Sequence, residues 1–480
     1  MWFQVLACDY DRTLATDGRV AAETMAALRS LRAQGRRVVL VTGRAFDDLR
    51  AVCPQLDFFD LVVAENGAVL YDPRAGEVED LVERPPPAFV AGLERRGVPV
   101  ASGRVIVATV TPHETAVLDE IRTLGLELEI IFNREAVMVL PAGVSKASGL
   151  RAALRRLGVS RHNVVAVGDA ENDHAFLACA GFGVAVANAV PALAAHADWV
   201  TAGANGAGVR ELVTGPLGED LASFRAALLS RTIELGTRAD GTPFTYPVRG
   251  PNVLVTGAFG SGKSTLARVF VEQLARADYV VCLLDPEGAG SRALAGREDV
   301  VVLTSEPGPA EGRAADVARL LGQRSTSVAI DLSRLGGGEK VAAAAAFLRA
   351  IQRLRAETGA PHWVFVDQAH DVFPRDGSAA EETFDARWGG ICLVTNEPGR
   401  IAPAVLDVVG HVFSTSFESV TARLPLLPPG AAGGALAGGE VLSIALAGGR
   451  SGAVERFHMA APGQRRGRRG DAATSTPARR

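Results

Sequence analysis

Two short acidic clusters in the first half of the chain stand where apolar runs end. Residues 2–8 lead into Asp9-Tyr10-Asp11-Arg12-Thr13, and residues 163–167 lead into Gly168-Asp169-Ala170-Glu171-Asn172-Asp173. Carboxylates two residues apart at a strand end point to the same side. Such acids repel, so their placement calls for a cation or a shared proton. A divalent ion supplies that charge, and oxygen ligands such as Asp9, Asp11, Asp169 and Asp173 suit Mg2+. One carboxylate can then attack phosphorus as a nucleophile. The other can protonate the leaving oxygen and afterwards activate water.

Two more segments fit the same chemistry. In Val41-Thr42-Gly43-Arg44, the Thr42 hydroxyl and the backbone N–H groups of Gly43 and Arg44 are available to phosphoryl oxygens. Lys146, at the start of a helix, can neutralise charge on a group in transfer. Each signal alone is weak, since surface turns are rich in Asp and many helices begin with Lys. All of them in order, each at a strand exit or helix start, leave little room for coincidence.

The second half carries a different phosphate signature. Gly257-Ala258-Phe259-Gly260-Ser261-Gly262-Lys263-Ser264-Thr265 satisfies G-x-x-x-x-G-K-[ST] between an apolar strand and a helix expected to begin at about Ser264. In that context the N–H groups around the glycines cradle phosphates, Lys263 reaches the β and γ oxygens, and Ser264 reaches Mg2+. Asp367 closes the apolar run 362–366 and can hold the same metal through water. The next strand ends in Thr395-Asn396, a γ-phosphate sensor candidate. Gln368 follows Asp367. An amide orients water but takes no proton, so nucleotide binding is the firmer expectation and turnover the weaker one. Glu287 and Glu397 are the alternative bases.

Both halves place these residues on short apolar runs alternating with amphipathic segments, which predicts parallel α/β sheets. Ligands of such sheets bind beyond the carboxyl ends of the strands. Between about Tyr71 and Pro141 the pattern changes to paired strands and two helices, a small α+β insert. We therefore expect an α/β core at 1–72 and 141–215 with the insert at 73–140. A linker and β lead-in (216–250), a second α/β domain (251–462) and a disordered basic tail (463–480) follow.

At 480 residues the chain is too long for one core. A net charge of −4 does not point to nucleic acid as a partner, and the arginines of the tail read as a solvated segment. The five cysteines are scattered, with no CxxC pair, and read as reduced core residues. No apolar run is long enough for a membrane span, and the first strand begins at Met1, without room for a cleavable leader. A cytoplasmic location is expected.

The segments DYDRT, VTGR, Lys146 and GDAEND resemble, in order, the four motifs of the haloacid dehalogenase superfamily of phosphohydrolases. The insert resembles the C2 cap of its Cof-type, sucrose-phosphate and phosphoglycolate phosphatase branch, and Ala64-Glu65-Asn66-Gly67-Ala68 resembles that branch's pre-cap loop. The resemblance implies a Rossmann-like core and a small phosphorylated metabolite as substrate. It makes Asp9 the nucleophile and a Mg2+ ligand, and Asp11 the general acid/base. Thr42 and Lys146 would hold phosphate, and Asp169 and Asp173 would complete the metal site. Asn66 and Asn172 join the substrate-binding candidates. Arg12 stands where the family usually has glycine. The second half resembles HerA/FtsK-type and VirB4-like P-loop ATPases through its phosphate loop, LLDPEG, DQAH and the strand ending in Thr-Asn. That implies ATP as ligand or substrate and homo-oligomeric assembly through this domain. Relatives carry Glu where this chain has Gln368. Two alternatives stand beside this reading: a bifunctional polynucleotide or metabolite kinase/phosphatase, and a nucleotide-dependent switch with little turnover.

Overall fold

The computed structural model describes residues 1–133, 135–308, 310–324, 326–375, 389–417, 435–447 and 450–463, so the expected disorder of the tail falls, apart from Gly463, outside them. The chain forms two compact units. One comprises Met1–Arg231, Pro309–Val328 and Ala346–His362, and the other Thr232–Gly308, Ala329–Ala345 and Trp363–Arg480.

The first unit is built on strands β1 (Val5–Asp9), β2 (Arg37–Val41), β3 (Leu61–Ala64), β4 (Val69–Asp72) and β5 (Glu77–Asp80). After an insert come β10 (Val164–Gly168), β11 (Phe182–Ala185) and β12 (Trp199–Val200). The sheet order is β12-β11-β10-β1-β2-β3-β4-β5. The first six strands of that order are parallel, and β4 and β5 run antiparallel. Central strands such as β1 are buried along their whole length, as a sheet covered on both faces requires. Side chains divide by parity. Leu6, Cys8, Val38, Leu40 and Val62 enter one apolar cluster, and Val5, Ala7, Val39, Val41 and Val63 enter another.

The insert begins later than the expected position 73, because β5 pairs with β4 as an edge of the core sheet. Its sheet runs in the order β6 (Ala101–Ser102), β7 (Val107–Val110), β9 (Ala136–Pro141), β8 (Leu128–Asn133), all antiparallel. Helices Pro87–Arg95 and Glu114–Leu124 share with it a small core of Phe89, Leu93, Val107, Val117, Ile121 and Val139.

In the second unit the expected lead-in is a hairpin, β13 (Thr232–Thr237) with β14 (Pro243–Pro247). The strands that follow are β15 (Asn252–Thr256), β16 (Val281–Asp285), β17 (Val300–Thr304), β18 (Ser327–Asp331), β19 (Trp363–Val366) and β20 (Ile391–Thr395). Three more are β21 (Val409–Ser414), β22 (Glu440–Ala447) and β23 (Arg450–Met459). They join one sheet ordered β14-β13-β23-β22-β21-β15-β20-β19-β16-β18-β17. β21, β15, β20, β19 and β16 are mutually parallel, with β20 inserted between β15 and β19. The second domain expected at 251–462 does not fall wholly in this unit. Residues 309–328 and 346–362 belong with the first, where His362 Nε2 lies 3.1 Å from Asn163 Oδ1. Among the described residues, no helix is long and apolar enough to cross a membrane.

Candidate active site

The end of β1 brings Asp9 into the interior, 4% exposed. Lys146 is the first residue of helix Lys146–Leu157, whose start is fixed by a capping box between Ser145 and Ser148. Its ammonium donates to Asp9 Oδ1 and to Asp173 Oδ1, each at 2.6 Å. The other Asp173 oxygen accepts the N–H groups of Asp169 (2.9 Å) and Ala170 (3.0 Å). That approach needs glycine at 168, where a Cβ would stand 2.6 Å from the Asp173 carboxyl carbon. Burial pushes the Asp9 carboxyl above its ordinary range; Lys146 pulls against it, while Asp173 and Asp169 add to it. Burial also works to lower the Lys146 ammonium, but Asp173 and Asp9 outweigh it and hold the group above its usual value.

Asp9, Asp169 and Asp173 offer oxygens that all lie within 4.8 Å of one another. Lys146 lies among the three carboxylates and a half-exposed Arg12 stands 3.8 Å from Asp169, so the cluster stays short of positive charge, and hard oxygens at this spacing fit Mg2+. The Asp11 carboxylate stands apart from this trio. Arg44 holds it through Nε at 2.6 Å and Nη2 at 2.8 Å, and reaches Asp48 with Nη1 at 2.6 Å. The bonds to Asp11 push the Arg44 guanidinium up.

Thr42, 1% exposed, follows β2 and accepts the Arg44 N–H at 3.2 Å. Asn172 donates to Asn66 Oδ1 at 3.0 Å, and Gly43 lies beside Asn172 and Met138. A cavity of about 620 Å³ opens over the cluster. The core contributes Asp9, Asp11, Thr42, Lys146 and Asp169 to it, and the insert Ser102, Ile106 and Met138. Sequence reasoning passed over the insert residues, because nothing in their spacing says which strand face meets the core. It also passed over Thr13, whose buried hydroxyl donates to Asp169 Oδ1 at 3.3 Å, although DYDRT contains it.

In the second unit residues 257–262 join β15 to helix Lys263–Arg276. Gly260 (φ +72°) and Gly262 (φ +101°) take the left-handed region, and a Cβ at Gly257 would meet Thr415 Oγ1 at 2.1 Å. Ser261 Oγ lies 2.6 Å from Thr415 Oγ1, a partner for the loop that sequence did not suggest. Lys263 Nζ donates to Ala258 O at 2.8 Å, while Ser264 and Thr265 begin the helix on its exposed side. Burial, then the nearby Asp285, pushes the Asp367 carboxyl up to about 6, against the Gln368 N–H and Lys263. Gln368 adopts a left-handed φ of +44°. Thr395 faces Thr256 across the β15–β20 pairing and meets His370 Nδ1 at 2.9 Å. Of the alternative bases, Glu287 lies close enough to Asp367 to push its carboxyl up as well. Glu397 is tied to Arg400 at 3.3 Å.

Comparison with known proteins agrees with the geometry of the first unit. The family profile of haloacid dehalogenase-like hydrolases matches residues 6–81 and 123–213. The phosphoglycolate phosphatase of Methanothermobacter thermautotrophicus is 33% identical over 216 residues, covering 44% of this chain and 97% of that protein. That of Halorubrum lacusprofundi is 35% identical over 207 residues, covering 41% and 90%. An HMP-PP phosphatase of Serratia proteamaculans is 28% identical over 237 residues, covering 40% and 86%. Among solved structures, a haloacid dehalogenase-like hydrolase from Bacteroides thetaiotaomicron matches with a TM-score of 0.39 at 19% identity, covering 44% of this chain and 98% of that one. Since relatives at 33–35% identity are matched over nearly their whole length, the chain belongs to the haloacid dehalogenase-like hydrolase family and is a phosphoric monoester hydrolase.

Proposed function

We propose that the first unit is a Mg2+-dependent phosphatase working through an aspartyl-phosphate on Asp9, with a small phosphorylated acid of the phosphoglycolate kind as substrate. The observation that carries this reading is Lys146 joining Asp9 and Asp173 beneath a cavity shared with the insert. Asp9 attacks phosphorus while the ester P–O bond breaks, and Asp11 supplies the proton to the departing alcohol. Asp11 then takes a proton from the water that cleaves the acyl-phosphate. Thr42, the Gly43 N–H and Lys146 hold the phosphoryl oxygens, while the Arg44 N–H, bonded to the Thr42 hydroxyl oxygen, orients that hydroxyl. Asp9, Asp169 and Asp173 would hold Mg2+, which offsets charge on the carboxylates and the phosphoryl group. Asn66 and Asn172, bonded to each other, brace the wall of the site. The name of the matched relatives supports the substrate class. Phosphate release from phosphoglycolate, sugar phosphates and nucleotides, with and without Mg2+, tests it. Absence of Mg2+-dependent release from every one of them would refute it.

A second reading concerns the other unit: an ATP site formed by Gly257, Gly260, Ser261, Gly262, Lys263, Ser264 and Thr265, with Asp367 as the metal partner. Its support is the order β15-β20-β19, which sets Thr395-Asn396 between the phosphate loop and Asp367, where a γ-phosphate would be sensed. Gln368 in the position of a base favours binding over turnover. Titration with ATP and Mg2+ tests it, and no saturable binding would end it.

A further inference from the structure

Glu65 is fully buried, and the phosphatase chemistry makes no use of it. It follows β3 with φ +52°, Asn66 continues at +55° and Gly67 at +107°. Two consecutive non-glycine residues in the left-handed region are costly and persist only where surrounding contacts enforce them. Here the Glu65 N–H donates to Arg44 O and the Asn66 N–H to Thr42 O, both at 2.9 Å. The bend is thereby stitched to the segment that carries Thr42, Gly43 and Arg44.

The side chain reaches the other way. Its carboxylate accepts N–H groups from Arg104 (2.9 Å), Val105 (2.7 Å) and Ile106 (2.9 Å), consecutive residues between β6 and β7 of the insert. A fourth comes from Phe46 (3.2 Å), at the start of the core helix Phe46–Val52. The turn must come very close: a Cβ at Gly103 would stand 2.5 Å from a Glu65 oxygen. Ser102, Gly103 and Ile106 of this turn line the cavity. A neutral amide offers one acceptor oxygen to four donors and turns an NH2 group toward them, so no other side chain of this length meets the same demand.

We propose that Glu65 is a positioning residue that holds the insert's turn 102–106 over the active site, and so sets how the non-phosphoryl part of the substrate is received. This rests on the phosphatase reading for its consequence in catalysis, though not for the clasp itself. Nothing in Glu65 touches the reacting atoms. Its effect passes through the turn.

The test uses full-length Glu65→Gln and, as a shorter acid, Glu65→Asp. Amide hydrogen exchange is followed at residues 104–106 and in β1, with kcat and KM for phosphoglycolate and for acetyl phosphate, an acyl phosphate whose leaving group lacks the free carboxylate of glycolate. In Glu65→Gln, exchange at 104–106 should accelerate about ten-fold or more, as loss of charge-assisted bonds requires, with β1 unchanged. The phosphoglycolate KM should rise about ten-fold with kcat less affected, while acetyl phosphate shifts by no more than about three-fold. Glu65→Asp, too short to reach every donor, should fall between. Unchanged exchange at 104–106 overturns the clasp whether or not any ester is hydrolysed. Equal losses on both substrates overturn the specificity role, whereas a wild-type protein inert on both overturns the phosphatase reading alone.

Discussion

Lys146 and Asp9 meet at 2.6 Å with the lysine 1% and the aspartate 4% exposed, an ion pair taken almost wholly out of water. Such pairs are maintained by their neighbours, and here Asp173 supplies the second contact to the same ammonium. Asp9→Asn should therefore leave a folded protein, because Lys146 keeps Asp173, yet abolish the nucleophile. Phosphate release should fall by about 1,000-fold or more. Near wild-type turnover by this variant, with circular dichroism unchanged, would show that Asp9 is not the attacking group.

Arg12 occupies a left-handed φ of +60°, which explains why glycine is usual there. Relief of that strain is worth about 1–2 kcal/mol, and the looser unfolded chain gives back about 0.5–1. Arg12→Gly should thus be neutral to about 1.5 kcal/mol more stable in thermal unfolding. A loss greater than 1 kcal/mol would mean that the Arg12–Asp169 contact at 3.8 Å outweighs the strain.

The proposed nucleotide site is separable from the phosphatase. Lys263→Ala removes the charge meant for the β and γ oxygens and should weaken ATP binding about ten-fold or more, with phosphoglycolate hydrolysis unaltered. Gln368→Glu should raise ATP turnover by restoring a group that takes a proton. Fast hydrolysis by the wild type that Gln368→Glu does not change would direct attention to Glu287.

His411, on β21, meets Ser443 Oγ at 2.9 Å and lies against Tyr246 and Phe413. Burial lowers its pKa to about 4. Unfolded, the ring titrates near about 6.5, so the unfolded state gains the proton first. The contribution is complete above about pH 6.5 and is lost as pH falls toward 4, up to about 3 kcal/mol and less where water reaches the ring. His411→Gln should flatten the acid side of the stability profile over that window. A slope identical to wild type between pH 7 and 4 would remove His411 as its source.

Candidate site residues could be proposed from the sequence wherever chemistry was tied to a short segment. DYDRT, VTGR and GDAEND converge because they follow the carboxyl ends of β1, β2 and β10 in one parallel sheet, and Lys146 joins them from the N-terminus of helix Lys146–Leu157. The insert was less legible. Its first boundary was hard to place because Glu77–Asp80 is short and charged, and only its pairing with β4 ties it to the core sheet. Glu65 stood within the loop resemblance of residues 64–68 but with no role assigned, since its partners are backbone N–H groups, which every residue but proline owns. The assignment of residues 346–362 to the first unit depends on tertiary contacts, which local periodicity does not encode.

The core sheet ends on one side with the two residues of β12 and on the other with β5. β5 presents Glu77, Glu79 and Asp80 to solvent, and Arg156 reaches across to Asp72, Glu77 and Glu79. An open sheet edge invites another chain to add a strand, and clustered charge on a short edge makes that addition unfavourable. The acidic hairpin is thus expected to discourage strand addition at this edge. The parallel strands behind it are thereby shielded at this edge, and replacing Glu77 and Glu79 with Val and Thr should raise turbidity on storage.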